Sequence, residues 1–137
     1  MPKKKLYIEL DYAFLCYGIS CHHKDYRLAW NINEALTIRL EKKEAIVIQD
    51  DLIKDGIGFS KFCFFEEKTQ TEYSLLGNRN KWGFLIPEEA MIDYFFLIKS
   101  DRINTDLIEN ELKSIDIILS FGTFNVDSLK NKERLLM

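Results

Sequence analysis

Residues 86–99 read IPEEAMIDYFFLIK, and the architecture of the chain turns on how this run is parsed. Pro87 fixes its own φ and pushes Ile86 toward extended geometry. Glu88, Glu89 and Ala90 suit a single helical turn, since acids after a proline complement the free N–H groups of a first turn. Met91 to Ile98 is aromatic and β-branched, which predicts a strand. Ile92, Tyr94, Phe96 and Ile98 fall on one face, and Asp93, Phe95, Leu97 and Lys99 on the other. Apolar residues on both faces predict a central strand covered on both sides. Asp93 stands out among hydrophobes at the strand entry. Backbone N–H groups of the same bend are its expected partners, because a buried carboxylate needs donors.

The remaining chain supplies neighbours for that strand. Tyr12 to Ile19 predicts a first strand, with Leu6 to Asp11 as a strand or a leader into it. Ser20 or Asp25 is a candidate cap for a helix running to about Leu36, with Leu28, Ala29, Ile32, Ala35 and Leu36 as its buried stripe, widened by Tyr26 and Trp30. Thr37 to Leu40 alternates like a strand, Lys42-Lys43-Glu44 reads as a turn, and Ala45 to Ile48 as a continuation or partner. Residues 50–58 (DDLIKDGIG) read as a polar connection with a turn at Asp55-Gly56. Phe59 to Glu67 and Thr69 to Leu76 predict a hairpin bent at Glu67-Lys68. Gly77-Asn78-Arg79-Asn80 is a turn signal, and Trp82 to Ile86 a short strand. Asn104 or Thr105 caps a second helix whose stripe is Ile108, Leu112 and Ile115, supported by Leu107. Ile117, Leu119 and Phe121 alternate as a last strand ended by Gly122. A short helix around Val126 to Lys130 precedes a loosely held tail over 131–137.

This order predicts one α+β domain over 1–137. A mainly antiparallel sheet carries two helices on one face. The C-terminal strand–helix–strand unit has ferredoxin-like or ACT-like periodicity. The spacing Ile86-Pro87-Glu88, three residues, Ile92-Asp93-Tyr94 resembles the signature of the bacterial IPExxxVDY family, with Ile92 where the family has valine. The resemblance extends to Asp25-Tyr26-Arg27-Leu28 and to the basic stretch near the C-terminus. It implies a bacterial origin, assigns no activity and transfers no catalytic residue.

Composition narrows the function classes. A chain of 137 residues with 47% apolar and 13% aromatic residues can bury a core. Nineteen basic against 22 acidic residues give a net charge of −3, which argues against nucleic acid as a partner. Lys3-Lys4-Lys5 is the one basic run, read as part of a flexible end over 1–5. No apolar run approaches the roughly 20 residues of a membrane helix. Cys16, Cys21 and Cys63 are an odd number in no CxxC spacing, as expected of reduced thiols in a cytoplasm. No phosphate loop, nucleophile elbow or HExxH occurs, and no cofactor is expected.

Three clusters carry possible chemistry. Cys16, Cys21, His22 and His23 are zinc-type ligands in no finger spacing, read instead as a buried thiol and an exposed loop, without metal. Glu88 and Asp93 form a possible acid–base pair, although each has a structural explanation. His22, Tyr26, Arg27 and Trp30 are a possible pocket for an anionic ligand, with Arg27 as the forked donor. The hydroxyl of Tyr94 is expected to tether a neighbouring loop. Phe62 to Phe65 and Phe95 to Leu97 demand cover on both sheet faces, more than two helices and a short tail provide. The expectation is therefore a non-enzymatic interaction or assembly protein, with a homodimer as the default form and another protein as the other possible partner. A small-molecule-binding module of ACT-like character is the alternative, and an enzyme using Glu88 and Asp93 the third reading.

Overall fold

The computed structural model describes residues 13–137. Leu6 to Asp11, expected as a strand or a leader into one, and the basic run at Lys3 to Lys5 lie outside them. Strand β1 (Ala13–Ser20) leads through a short loop to helix α1 (Asp25–Leu36). Next come β2 (Glu41–Lys42), β3 (Ile46–Asp50), β4 (Ile53–Phe59), β5 (Lys61–Glu66), β6 (Thr71–Gly77), β7 (Arg79–Asn80) and β8 (Gly83–Phe84). A 3-10 turn at Pro87–Glu89 precedes β9 (Tyr94–Ser100), helix α2 (Thr105–Lys113) and β10 (Ser120–Thr123). Two further 3-10 turns, Val126–Ser128 and Lys132–Leu136, complete the order. The fold is α+β.

The main sheet runs β10-β1-β9-β6-β5-β2, and each neighbouring pair is antiparallel. As the dense apolar pattern of Tyr94 to Ile98 predicts, β9 is central, between β1 and β6. Both helices contribute to one core with one face of the sheet: Leu28, Ala29 and Ile32 from α1, Ile108 and Leu112 from α2, and Tyr17, Ile19, Leu75, Phe96 and Ile98 from the strands. Neither Ser20 nor Asp25 caps α1. Lys24 holds the cap position without a side-chain bond, and the Asp25 carboxylate accepts from the N–H of Tyr26 (2.7 Å). Asn104 caps α2 as expected, accepting from Leu107 N–H (3.0 Å), whereas the Leu107 side chain is 54% exposed.

The second face differs from expectation. It is covered from within the chain by the β3–β4 hairpin, the segment around Leu85 and Ile86, and the C-terminal turns. Phe95, Phe96, Leu97 and Phe62 are all buried, so the excess of uncovered ring surface does not exist for them. The residues read as a polar connection, 50–58, form part of that cover, contributing Ile57 and Ile53. Asp51 and Leu52 make the turn, and β4 returns along β3. Gly56 lies inside β4 at φ 78° and is not a turn; a Cβ there would come within 2.7 Å of Val47. The tail over 131–137 is not loose either. Leu135 is buried, and the Arg134 guanidinium donates to the carbonyl of Leu85 (2.9 Å). Residues 37–40 carry buried Ile38 and Leu40 but join no sheet. The Asn33 side chain pairs with both backbone groups of Leu40 (2.7 and 3.3 Å) in place of a neighbouring strand.

Candidate functional site

The stretch 86–94 is assembled around a residue that sequence reading placed in a turn. Asn78 is fully buried. Its side-chain oxygen accepts from Ile86 N–H (2.7 Å), and its amide nitrogen donates to the carbonyls of Glu89 (2.9 Å) and Ile92 (2.8 Å). Its backbone N–H donates to the Asp93 carbonyl and its own carbonyl accepts from Leu85, both at 2.9 Å. Five bonds from one asparagine therefore give partners to five backbone groups of the irregular segment between β8 and β9. A Gly-Asn-Arg-Asn string gives no hint of this, because the partners come from segments 7 to 15 residues downstream.

Asp93 is buried, but its donors are not those of its own bend. The carboxylate accepts from Cys21 N–H (2.8 Å) and from the Arg79 guanidinium. Arg79 also donates to the Ala90 carbonyl (3.3 Å) and lies over the ring of Phe84. The Tyr94 hydroxyl donates to the carbonyl of His23 (2.6 Å), the tether expected of it. Ile86 is buried, and Pro87 opens the 3-10 turn. Ile92 packs against the second core, on the opposite side of the sheet from Tyr94, because β9 starts only at Tyr94.

The structure does not pair Glu88 with Asp93. Glu88 turns toward the tail and accepts from the backbone N–H (3.1 Å) and side-chain amide (3.0 Å) of Asn131. Slight desolvation raises its pKa, but hydrogen bonds from its own backbone and from Asn131 and Lys130 outweigh it and hold it below the usual carboxylate range.

Asp93 and Tyr94 instead form a wall of an open cleft of about 660 Å³ at one end of the sheet. Its other lining residues are Cys21, His22, His23, Lys24, Asp25, Ser60, Gly77 and Arg79. Of the residues expected to share a pocket, only His22 is here. Tyr26 and Trp30 are 62% and 61% exposed on the outer side of α1, and Arg27 is exposed beside them. Arg79 takes the place expected of Arg27. Burial, reinforced by neighbouring Cys21, Asp25 and Asp93, pushes the Tyr94 hydroxyl well above its ordinary pKa. Burial also raises the Cys21 thiol, opposed by a hydrogen bond at His23 and aided by Asp93. Both groups are thus held neutral, which suits hydrogen bonding and not nucleophilic attack. Among the described residues, no three His, Cys, Asp or Glu side chains are placed to hold a metal ion. No described helix is long and apolar enough to cross a membrane.

No family model matches the chain, and no curated protein matches it at a significant level.

Proposed function

We propose that the chain is a non-catalytic module that binds a small carboxylate- or phosphate-bearing molecule in the cleft between the 21–25 loop and β9. One observation carries this reading: the acidic groups of the cleft and Arg79 are engaged with one another or with backbone, whereas the basic side chains of the 22–24 loop are not. Asp93 is taken by Arg79 and Cys21, and Asp25 by Tyr26 N–H with Lys42 at 4.0 Å. Among the described residues, the side chains of His22, His23 and Lys24 make no hydrogen bond or ion pair, so the open capacity is for accepting groups on a ligand. The raised pKa values of Cys21 and Tyr94 keep these two groups protonated, which supports binding through them more than nucleophilic attack by them. The order β10-β1-β9-β6, with α1 and α2 as crossovers and β2 to β5 inserted after α1, supports a ferredoxin-like classification. Resemblance to the IPExxxVDY family supplies no activity, so the reading rests on the cleft. A second reading, an interaction protein, is supported by side chains left open elsewhere on the sheet.

Thermal-shift titration with a panel of small carboxylates and phosphate esters tests the proposal. A ligand present at about 100 times its Kd stabilises the folded form by roughly 2.7 kcal/mol, which raises Tm measurably. The rise is expected to vanish in the His22→Ala/Lys24→Ala double variant. If no compound raises Tm at millimolar concentration, or if the double variant responds as wild type does, the reading is wrong.

A further inference from the structure

Among the described residues, the cover on the second sheet face stops one row short of the strand ends. Phe14 on β1 lies opposite Lys99 on β9, Lys99 opposite Glu72 on β6, and Glu72 opposite Phe65 on β5. All four share the parity of Cys16 and Leu97, which belong to the second core, so they project from that face. All four are exposed, Phe14 by 37% and Phe65 by 50%. Leu136 and Met137, also exposed, border the same groove as Phe14, Glu72 and Lys99. Among the described residues, neither Lys99 nor Glu72 belongs to an ion pair.

We propose that this row is a two-fold interface between two copies of the chain. Its order across the sheet is aromatic, basic, acidic, aromatic. A two-fold axis passing between β9 and β6 exchanges the ends of the row. Lys99 of each copy then meets Glu72 of the other, and Phe14 of each meets Phe65 of the other. A pattern that is its own complement when reversed is what an isologous contact requires, and a different partner would place no such demand on the sequence. With strands about 4.8 Å apart the row spans roughly 14 Å, so the contact is small and its affinity modest. The cleft lies at the opposite end of the strands, beyond Ser20 of β1, so this interface is independent of the ligand proposal.

Sedimentation equilibrium of the full chain tests it by charge exchange. Wild type is expected to dimerise. Lys99→Glu and Glu72→Lys each put like charges together twice and should each weaken the dimer by about tenfold or more. Mixed one to one, the two variants face opposite charges at both contacts and should form a heterodimer. The double variant K99E/E72K restores the pattern within one chain and should dimerise like wild type, a readout that poor folding could not imitate. A wild-type chain that remains monomeric at roughly millimolar concentration overturns the proposal. A dimer indifferent to both reversals does so too, as do variants that melt like wild type yet fail to pair when mixed.

Discussion

The two faces of the sheet are buried by different means. On one face, two regular helices lay down apolar stripes that meet Tyr17, Leu75 and Phe96. Their backbone groups are satisfied within each helix, so the contribution of that layer is mostly area removed from water. On the other face the cover is a twisted hairpin, a 3-10 turn and a tail. These pieces have too little internal hydrogen bonding to stand alone. They are pinned by side chains reaching across the sequence: Asn78 to the 86–92 backbone, Arg134 to Leu85, and Glu88 to Asn131. One layer is held by packing. The other is held at a few polar points.

That contrast breaks first at Asn78. Replacing it with Ala strands the N–H of Ile86 and removes a donor from two part-buried carbonyls, of which that of Glu89 keeps the Ile92 N–H, at about 1–3 kcal/mol for each group left unpaired. Asn78→Ala is expected to cost about 4 kcal/mol, as much as or more than Leu112→Ala on the helical side, where a fully buried leucine costs about 2–5 kcal/mol. Urea denaturation of both variants makes the comparison. If Asn78→Ala costs less than about 1 kcal/mol, the second layer is not pinned as described.

A smaller effect is expected at Arg134. Arg134→Ala removes the donor to Leu85 and should cost about 1–2 kcal/mol, with faster amide exchange over 126–137 and little change in α1 or α2. Uniform loss of protection across the molecule would instead mean that the two layers unfold as one.

The smallest effect is a pH dependence of the tail. The Glu88 pKa is depressed in the folded state, so its contribution is present above the ordinary carboxylate pKa. It is lost as pH falls through the folded value. Because Glu88 is exposed, the change is expected to be about 1 kcal/mol or less. Proteolysis of the tail should quicken in wild type as pH falls below the ordinary carboxylate range, and Glu88→Gln should remove that dependence. A tail equally protected at all pH values, with or without Glu88, would show the clip to be idle.

Much of the helical side was legible beforehand. Helical spacing marked Leu28, Ile32, Ile108 and Leu112, dense apolar and aromatic runs marked β1 and β5, the return after Glu67-Lys68 marked β6, and Asn104 announced the start of α2. The β3–β4 hairpin was missed because only Ile46, Ile57 and Phe59 of its residues are buried, and charged residues with two glycines mask the alternation. Gly56 looked like a turn, yet its positive φ serves a bulge within the strand. At the cleft, His22 and Asp93 were visible as candidates. Arg79 was not, since nothing local distinguishes it from Arg27.

The sequence by itself determined the two helices, most strands of the main sheet, the central place of β9 and the α+β class, because period and turn chemistry act over a few neighbouring residues. Only the tertiary structure decided how the second face is closed and which arginine meets Asp93. It also decided that Asn78 is a hub and not a turn residue. Those outcomes depend on bonds between segments as far apart as Cys21 and Asp93, and on whether irregular pieces can satisfy their backbone groups against the sheet. No local pattern encodes that condition.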